Sequence, residues 1–409
     1  MGDDAGPLDS PALGAGETIR PCGDDLRPAD PAPPADGPAF GLTLSGGGFR
    51  ATLAALGAIR YLADAGFLAS LRYSSSVSGG SIANGLLAKE WPELRQRGYT
   101  AAAVDEVLVD PVVERISSRS LKMALILKVW QTIGPRTRTE VLAERMDEWF
   151  FDGTTLESLD PEVRWVVNAA NLMTGVRFAF ERDVVGDYVT GLAPTSGTGL
   201  RLANAAAASA AVPGSFAPWT VKGIEFPCAT QPPHLLDGGV YDNTGLEAFD
   251  SDRYRNVFLM TMNAGGLLRP GAYGRVPLVR DLARANSLLY RQSTALRTRT
   301  VVDRFRAAQR LGPGDPLPEG ARRGILVALA TSFPSEESDG LRAWRAAFAE
   351  ERAWDGRDLA LVPTVFDKLP AGLCRRLVYR GWWLMGAATA HYHLAMAPDP
   401  RALTAPPLG

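Results

Sequence analysis

Two glycine-containing turns in the first fifth of the chain carry residue types suited to chemistry on acyl groups. The first, Gly46-Gly47-Gly48, lies between the apolar segment 40–45 and an Ala/Leu-rich segment. Backbone N–H groups at the start of a helix are exposed, and the helix dipole there favours negative charge. Glycines also let a substrate approach the backbone closely. These are the features that an oxyanion hole requires.

The second turn, Ser76-Val77-Ser78-Gly79-Gly80, is similar to the nucleophile elbow G-x-S-x-G, with serine in place of the first glycine. In such an elbow the serine occupies a strained strand-to-helix turn, and the N–H of the next residue, here Gly79, can donate to an oxyanion. Among the clustered serines, only Ser78 is followed by two glycines. Serine is also a favoured helix cap, so this motif alone leaves a capping role open.

The spacing of the two turns favours the catalytic interpretation. Gly46 and Ser78 are separated by one strand–helix–strand unit, which predicts parallel neighbours with a right-handed crossover. Both turns then lie at the same edge of the sheet, where open α/β sheets bind ligands. The predicted elements are a strand at 40–45, a helix at 49–65, a strand at 71–77 and a helix at about 80–90.

A serine nucleophile needs a base, and Asp237 is the stronger candidate. An apolar strand ends at Asp237-Gly238-Gly239, so the carboxylate can reach a neighbouring strand end. An Asp-Gly turn without chemistry is the alternative at this position. The chain has three histidines, which we predict to be structural or to lie on a surface loop: His234, His391 and His393.

The first turn also fits a dinucleotide fingerprint, since residues 46–51 read G-x-G-x-x-A. That fingerprint requires an acidic residue at the end of the second strand to hold a ribose. The second strand here ends in Ser74-Ser75-Ser76-Val77-Ser78, with no carboxylate. Dinucleotide binding is therefore the remote alternative.

Taken together, the motifs resemble the signatures of patatin-like phospholipases, in the same order along the chain. They are Ser45-Gly-Gly-Gly-Phe-Arg50, then Ser76-Val-Ser-Gly-Gly-Ser81, then Asp237-Gly-Gly-Val-Tyr-Asp-Asn243, with supporting blocks at 168–178 and 208–213. The resemblance covers roughly residues 40–265. It implies a lipid acyl hydrolase of the phospholipase A or lysophospholipase type.

The resemblance also implies a role for each site residue. Ser78 would be the nucleophile and Asp237 the base of a catalytic dyad, with no metal and no organic cofactor. An Asp with an ordinary pKa is a weak base, so we predict that Asp237 is buried and its pKa raised. The oxyanion donors would be the N–H groups of Gly46, Gly47, Gly48 and Gly79. Supporting residues would be Arg50, which braces the turn, and Gly80, Gly238 and Gly239.

The predicted fold is a three-layer α/β/α domain with a mostly parallel central sheet and a helical C-terminal extension. Residues 1–38, with eight prolines, are expected to be a disordered arm. The predicted divisions that follow are a catalytic domain at 39–265 with a helical insertion at 92–160, a mainly helical region at 266–396 and a tail at 397–409. Within the insertion, 121–133 could be a lid over the site or a core helix.

Charge, hydropathy and cysteine content indicate the binding partners and the cellular compartment of the protein. The net charge of −2 gives no basic surface for nucleic acid, and no secretory signal or membrane-spanning run is visible. The chain contains three cysteines, Cys22, Cys228 and Cys374, a sparse and odd number that predicts no disulfide framework and favours a reducing compartment. We expect a cytoplasmic protein, peripheral at membranes, although export by a route without a visible signal is not excluded.

The sequence leaves three questions open. Residues 275–310 carry nine arginines and two aspartates, which could face anionic lipid or simply a solvated surface. The substrate would be a membrane lipid or lipid aggregate, but an acyltransferase would use the same acyl-enzyme. A catalytically silent lipid-binding scaffold on the same fold is a further alternative to the hydrolase.

Overall fold

The computed structural model describes Cys22 and residues 26–121, 123, 136–267, 277–309, 311, 315–333, 337–348 and 356–408. Within these residues ten strands form one mixed sheet, in the order β10-β9-β1-β2-β3-β4-β5-β6, and β8 pairs with both β3 and β7. The strands are β1 (Phe40–Leu44), β2 (Leu71–Val77), β3 (Arg164–Asn171), β4 (Arg177–Phe180), β5 (Val184–Asp187), β6 (Gly191–Pro194), β7 (Trp219–Thr220), β8 (His234–Asp237), β9 (Phe258–Asn263) and β10 (Gly324–Ala328).

Helices cover both faces of the sheet. The α-helices are α1 (Gly48–Asp64), α2 (Gly79–Gln96), α3 (Ala101–Val104), α4 (Asp110–Ser118), α5 (Arg138–Met146), α6 (Leu202–Ser209), α7 (Gly239–Asp242), α8 (Pro277–Ala308), α9 (Asp339–Ala347), α10 (Gly356–Ala360) and α11 (Ala371–Tyr392). Short π-helical turns span Asp105–Val109 and Asp147–Phe151, and 3₁₀ turns span Leu68–Ser70, Leu156–Ser158, Leu246–Phe249, Asp252–Tyr254, Leu394–Met396 and Pro400–Ala402.

The parallel part of the sheet is the part that the sequence predicts. β1 pairs in parallel with β2 and with β9, and β2 pairs in parallel with β3. On the other side of β3, the pairings of β3 with β4, β4 with β5 and β5 with β6 are antiparallel, so the sheet is mixed. The three-layer class is confirmed, and the crossover from β1 through α1 to β2 places two strand ends side by side.

Side chains on successive strand positions enter two separate cores, as the period of two requires. Leu42 and Leu44 of β1 join the larger core beside α1, α2 and α11. Leu259 of β9 joins a smaller core on the opposite face, with Val301 and Phe305 of α8. The sheet is therefore the middle layer between two sets of helices.

Helix α1 lies deep within the larger core, with 16 of its 17 residues buried. It is covered by α11, and glycines allow their backbones to touch. A methyl group on Gly57 would lie 2.0 Å from the carbonyl oxygen of Val378, and one on Gly381 would lie 2.1 Å from that of Ala54. The residues after 265 therefore add α11, and β10 beside β9, to the same layers.

The prediction that the cysteines form no disulfide is wrong. Cys22 is bonded to Cys228, with 6.1 Å between their Cα atoms, whereas Cys374 is a buried free thiol. Backbone N–H groups of both half-cystines also donate to the β5–β6 connection, at 2.8 Å to the carbonyl of Tyr188 and 3.0 Å to that of Thr190. The two half-cystines lie 206 positions apart in sequence, and no spacing rule links them.

Residues 26–38 have no regular secondary structure but lie against the domain. The guanidinium of Arg253 donates to Asp30 at 2.9 Å, and that of Arg72 donates to the carbonyl of Ala32 at 3.0 Å. Residues 1–21 and 23–25 lie outside the described residues, so disorder there stays a prediction. Most of the possible lid at 121–133 also lies outside them, and the choice between lid and core helix stays open.

Reduction of the disulfide is expected to lower stability by about 2–4 kcal/mol, because the crosslink restricts the unfolded chain. Thermal unfolding with and without reductant measures this, and Cys22→Ser should reproduce the reduced value. The control is Cys374→Ala, which should leave the effect of reductant unchanged. Equal unfolding temperatures in both conditions would contradict the crosslink, as would two fast-reacting thiols in the native protein.

Candidate active site

The two glycine-containing turns meet at the carboxyl ends of β1 and β2. Leu44 of β1 is in register with Ser76 of β2, so the turns that follow begin side by side. Their contact is so close that side chains are excluded. A methyl group on Gly79 would lie 2.0 Å from the carbonyl oxygen of Gly48, and one on Gly80 would lie 2.6 Å from that of Leu44. A residue with a side chain at position 80 would therefore not allow this contact.

Ser78 has the backbone geometry of a nucleophile elbow. Its φ is 51° and ψ is −121°, which is a rare conformation for a residue with a side chain. The residue immediately precedes α2, so it stands at the positive end of a helix dipole. The residue is 4% exposed. The turn thus holds the hydroxyl in a fixed direction at the edge of the sheet.

Asp237 reaches this edge of the sheet on a strand that runs opposite to β1, β2 and β3. It ends β8, which runs antiparallel to β3 and places Asp237 opposite Ala169. Burial raises the pKa of Asp237 to about 6, although hydrogen bonds from the N–H of Gly239 and from the side chain of Ser78 lower it. The Gly239 bond is 2.7 Å long. The predicted burial of Asp237 is confirmed, since the residue is 2% exposed, and burial shifts its pKa in the expected direction.

Asn243 connects the aspartate motif to the first glycine turn. Its carbonyl accepts the N–H of Gly46 at 3.0 Å. A methyl group on Gly46 would lie 2.3 Å from Oδ1 of Asn243 and 3.1 Å from Cβ of Ser78. The three motifs therefore converge on one point. Asn243 belongs to the third sequence motif, but its role was not predictable, because one residue type in a turn does not reveal its partner.

The N–H groups available to an oxyanion are fewer than the sequence suggests. Since the N–H of Gly46 donates to Asn243, it is not a free donor. Within the described part of the chain, no hydrogen-bond acceptor is found for the N–H groups of Gly47, Gly48 and Gly79. Gly47 and Gly48 have φ values of 147° and 60°, conformations that glycine adopts without strain. We therefore retain these three as candidate donors.

Arg50 joins the first glycine turn to a distant loop. Its guanidinium donates to the carbonyls of Ala264, at 2.9 Å, and Val362, and to the hydroxyl of Thr364 at 3.0 Å. Burial lowers the pKa of Arg50 to about 10. The same loop contacts the turn directly, because the N–H of Phe49 donates to the carbonyl of Val365 at 3.1 Å. These contacts join the first glycine turn to residues 362–365, and the bracing role of Arg50 stays a prediction.

Gly238 and Gly239 permit close packing beside the aspartate. A methyl group on Gly238 would lie 2.4 Å from the carbonyl oxygen of Asn168. One on Gly239 would lie 2.5 Å from the ring of Tyr290, which belongs to α8. Helix α8 therefore contributes a wall of the site. No motif marks Tyr290, so the sequence did not indicate it.

The three histidines contact other groups. His234 Nδ1 lies 3.1 Å from the hydroxyl of Thr220, and His391 Nδ1 lies 3.0 Å from that of Ser338. His393 Nε2 lies 3.1 Å from the carbonyl of Gly324. Across the ranges that the structure covers, no group of three or more His, Cys, Asp and Glu side chains is arranged to bind a metal ion.

Comparisons with known proteins find one matching family model and several similar folds. The family model of patatin-like phospholipases matches residues 42–250, which is half of the chain and includes all three motifs. No curated protein matches the chain. Human GIVD cytosolic phospholipase A2 has a similar fold, with a TM-score of 0.50 and 12% identity over 89% of this chain and 60% of that one. This chain therefore corresponds to less than two thirds of the human protein.

Two further solved structures are more distant. The same human enzyme in complex with methyl γ-linolenyl fluorophosphonate gives a TM-score of 0.48 and 14% identity, over 89% of this chain and 58% of that one. VipD from Legionella pneumophila gives 0.32 and 13%, over 84% and 67%. At these identities the likeness of the human enzyme concerns the fold alone.

Proposed function

Since this chain belongs to the patatin-like phospholipase family, we propose that it cleaves acyl esters of glycerolipids with Ser78 as nucleophile and Asp237 as base. At the level of the family it is a lipid acyl hydrolase that acts on ester bonds. The observation that carries the finer proposal is one contact. The side chain of Ser78, in the strained elbow conformation, is near enough to Asp237 to lower the pKa of this buried carboxylate, which burial raises to about 6.

In the first half of the reaction, the Ser78 oxygen attacks the ester carbonyl carbon while its proton moves to the Asp237 carboxylate. The carbonyl oxygen becomes an oxyanion, which the N–H groups of Gly47, Gly48 and Gly79 stabilise. Because such donors act in a site that excludes water, each one typically contributes about 3–4 kcal/mol to the transition state. The tetrahedral intermediate then collapses, the alcohol leaves with the proton from Asp237, and an acyl-Ser78 ester remains.

In the second half, Asp237 removes a proton from water, and the resulting hydroxide oxygen attacks the acyl-Ser78 carbonyl. Collapse of this second intermediate releases the fatty acid and returns the proton to Ser78. The raised pKa helps both halves, because an aspartate of pKa about 6 is a better base than one of 3.8 and remains ionised at pH 7 and above.

We propose that the substrate is presented by a lipid surface. Exposed apolar side chains lie on segments next to the dyad: Leu172 and Met173, 57% and 48% exposed, follow the end of β3, and Val240, 36% exposed, lies three residues after Asp237. Such side chains can enter the interfacial layer of a membrane. No helix of the described residues is long and apolar enough to cross a bilayer.

The experiment combines active-site labelling with a substrate series. A fluorophosphonate should modify the protein once, with mass spectrometry placing the adduct on Ser78. Turnover should rise when a phospholipid passes from monomers to mixed micelles. A silent scaffold would show neither labelling nor release of fatty acid. An acyltransferase would give an acylated alcohol as its main product when a lysophospholipid or glycerol acceptor is added.

The pH dependence of kcat/KM should follow the ionisation of Asp237. The base must be deprotonated, so activity should rise with pH through about 6 and level off above about 7. Between pH 8 and pH 5 the expected loss is about tenfold, for a substrate that does not titrate. A profile that is flat from pH 5 to pH 8 would contradict the assignment of Asp237 as the base.

The cellular compartment stays a prediction, and the disulfide argues against the cytoplasm. Disulfides such as Cys22–Cys228 persist in oxidising compartments and are rare in the cytosol. Alkylation of thiols before and after reduction, in protein taken directly from the producing cells, decides between the cytoplasm and an oxidising compartment. A native protein with Cys22 and Cys228 both alkylated without reductant would support the cytoplasmic prediction.

A further inference from the structure

We propose that Ser209 is a positioning residue that fixes Ser78 relative to Asp237, an inference that rests on the proposed function. Ser209 is the last residue of α6 and is fully buried. Because it has no exposed surface, it is not placed to touch a substrate. Its hydroxyl contacts the nucleophile turn, and its backbone carbonyl contacts the aspartate turn, so one residue spans the two halves of the dyad.

On the nucleophile side, the hydroxyl of Ser209 accepts the backbone N–H of Ser78 at 2.8 Å. It also lies 3.0 Å from the hydroxyl of Ser81, in the first turn of α2. The N–H of Ser78 belongs to the peptide unit that enters the elbow. Ser209 therefore holds the peptide plane whose orientation sets the unusual φ of 51°.

On the aspartate side, the backbone carbonyl of Ser209 accepts the N–H of Gly238 at 3.2 Å. Two residues further on, the carbonyl of Ala211 accepts the N–H of Asp237 at 3.0 Å. The end of α6 and the residues just after it thus supply two carbonyls to the turn that presents the carboxylate. A shift of residues 209–211 would move Asp237 as well as the elbow.

The hydrogen-bonding capacity of the Ser209 hydroxyl is completely used. It donates its one proton to the carbonyl of Asn168 at 2.6 Å. A serine oxygen can accept two hydrogen bonds, and the N–H of Ser78 supplies one of them. Because the proton of Ser209 is committed to Asn168, the hydroxyl of Ser81 must be the donor of their shared bond. Only a hydroxyl of this size provides one donor and two acceptor positions here.

Loss of the hydroxyl should therefore loosen the elbow. Without Ser209 Oγ, the N–H of Ser78 and the carbonyl of Asn168 lose buried partners, and rotation of the Val77–Ser78 peptide relieves the strained φ. Such a rotation turns the Ser78 oxygen away from Asp237 and tilts the N–H of Gly79. Displacements of about 1 Å at reacting groups can reduce rates by about 10²-fold.

The test compares Ser209→Ala with Ser74→Ala. Ser74 is also a fully buried serine, and its hydroxyl donates to Asn84 at 2.6 Å without touching either catalytic turn. We expect Ser209→Ala to lower kcat and the rate of fluorophosphonate labelling by about 10²-fold, with KM changed less than threefold. Ser74→Ala should keep kcat within threefold of the wild type even if its unfolding temperature falls similarly.

Two conservative variants keep the test decisive if Ser209→Ala does not fold. Ser209→Thr retains the hydroxyl and should recover most of kcat, whereas Ser209→Cys, a weaker donor and acceptor, should fall between wild type and alanine. Ser209→Ala with kcat within threefold of wild type would overturn the proposal, as would Ser209→Cys with an unchanged labelling rate if alanine does not fold. A wild-type protein that neither labels nor hydrolyses esters would instead refute the proposed function.

Discussion

Replacing Ser78 with alanine is expected to lower ester turnover by about 10⁴-fold or more and to abolish fluorophosphonate labelling. Without the hydroxyl no acyl-enzyme can form, and only binding and the oxyanion donors remain to assist attack by water. Alanine can be held in the same strained backbone conformation as serine at position 78, so the fold should be retained. Turnover of a phospholipid in mixed micelles, with unfolding temperature measured alongside, tests this expectation.

The neighbouring serines provide the control for this substitution. Ser74→Ala removes a hydroxyl four residues earlier on β2 and should leave labelling intact. If Ser78→Ala retained more than about a tenth of the wild-type turnover, a different group would have to be the nucleophile. A fluorophosphonate adduct found on another serine would lead to the same conclusion.

Replacing Asp237 with asparagine should reduce turnover by about 10³- to 10⁴-fold, because the amide has the shape of the carboxylate but cannot accept a proton. The residual activity should lose its dependence on pH between 5 and 8. Asparagine Oδ1 can still accept the N–H of Gly239, so the turn should persist. Near-normal turnover in this variant would exclude Asp237 as the base.

The same substitution should stabilise the protein at alkaline pH. The pKa of Asp237 is about 6 in the folded protein against 3.8 ordinarily, so the folded state binds the proton more tightly than the unfolded chain. Stability from this group is therefore fully present below about pH 4 and is lost as pH rises through about 6. Asparagine carries no charge at any pH, so the variant avoids the free-energy cost of burying an ionised carboxylate, which is up to about 3 kcal/mol.

Urea unfolding at two pH values measures the effect. At pH 8 Asp237→Asn should be more stable than wild type, and the difference should shrink as the pH falls toward 4. Destabilisation of equal size at both pH values would indicate that the carboxylate is held by stabilising contacts, and that its pKa is not raised. Ser74→Ala, compared with wild type at the same two pH values, shows whether the pH dependence belongs to Asp237.

The parts of the site that depend on local pattern were predictable from the sequence. β2 spans the predicted residues, and α1 begins one residue earlier than predicted. Glycines after an apolar strand, and a serine followed by two glycines, place two turns at one sheet edge through the crossover rule. Burial of Asp237 followed from the requirement that a lone carboxylate act as base.

The remaining features depend on contacts between residues far apart in sequence, which no local pattern encodes. Asp237 arrives on a strand antiparallel to β3, although the pattern around it fits a hairpin turn equally well. Ser209 belongs to the family-like block 208–213, but the alanine-rich helix around it does not reveal which groups its hydroxyl contacts. The Cys22–Cys228 pairing crosses about half of the chain. In each case the partner is identified only by the folded chain.

The bond between the Phe49 N–H and the Val365 carbonyl, with the Arg50 contacts beside it, has a consequence for how such chains can exchange segments during evolution. The region shared with the family ends at residue 250, yet the outer wall of its first glycine turn comes from residues 362–365. A recombinant that inherited only residues 42–250 from a relative would set a foreign loop against that turn. Productive crossovers are expected to transfer both segments together.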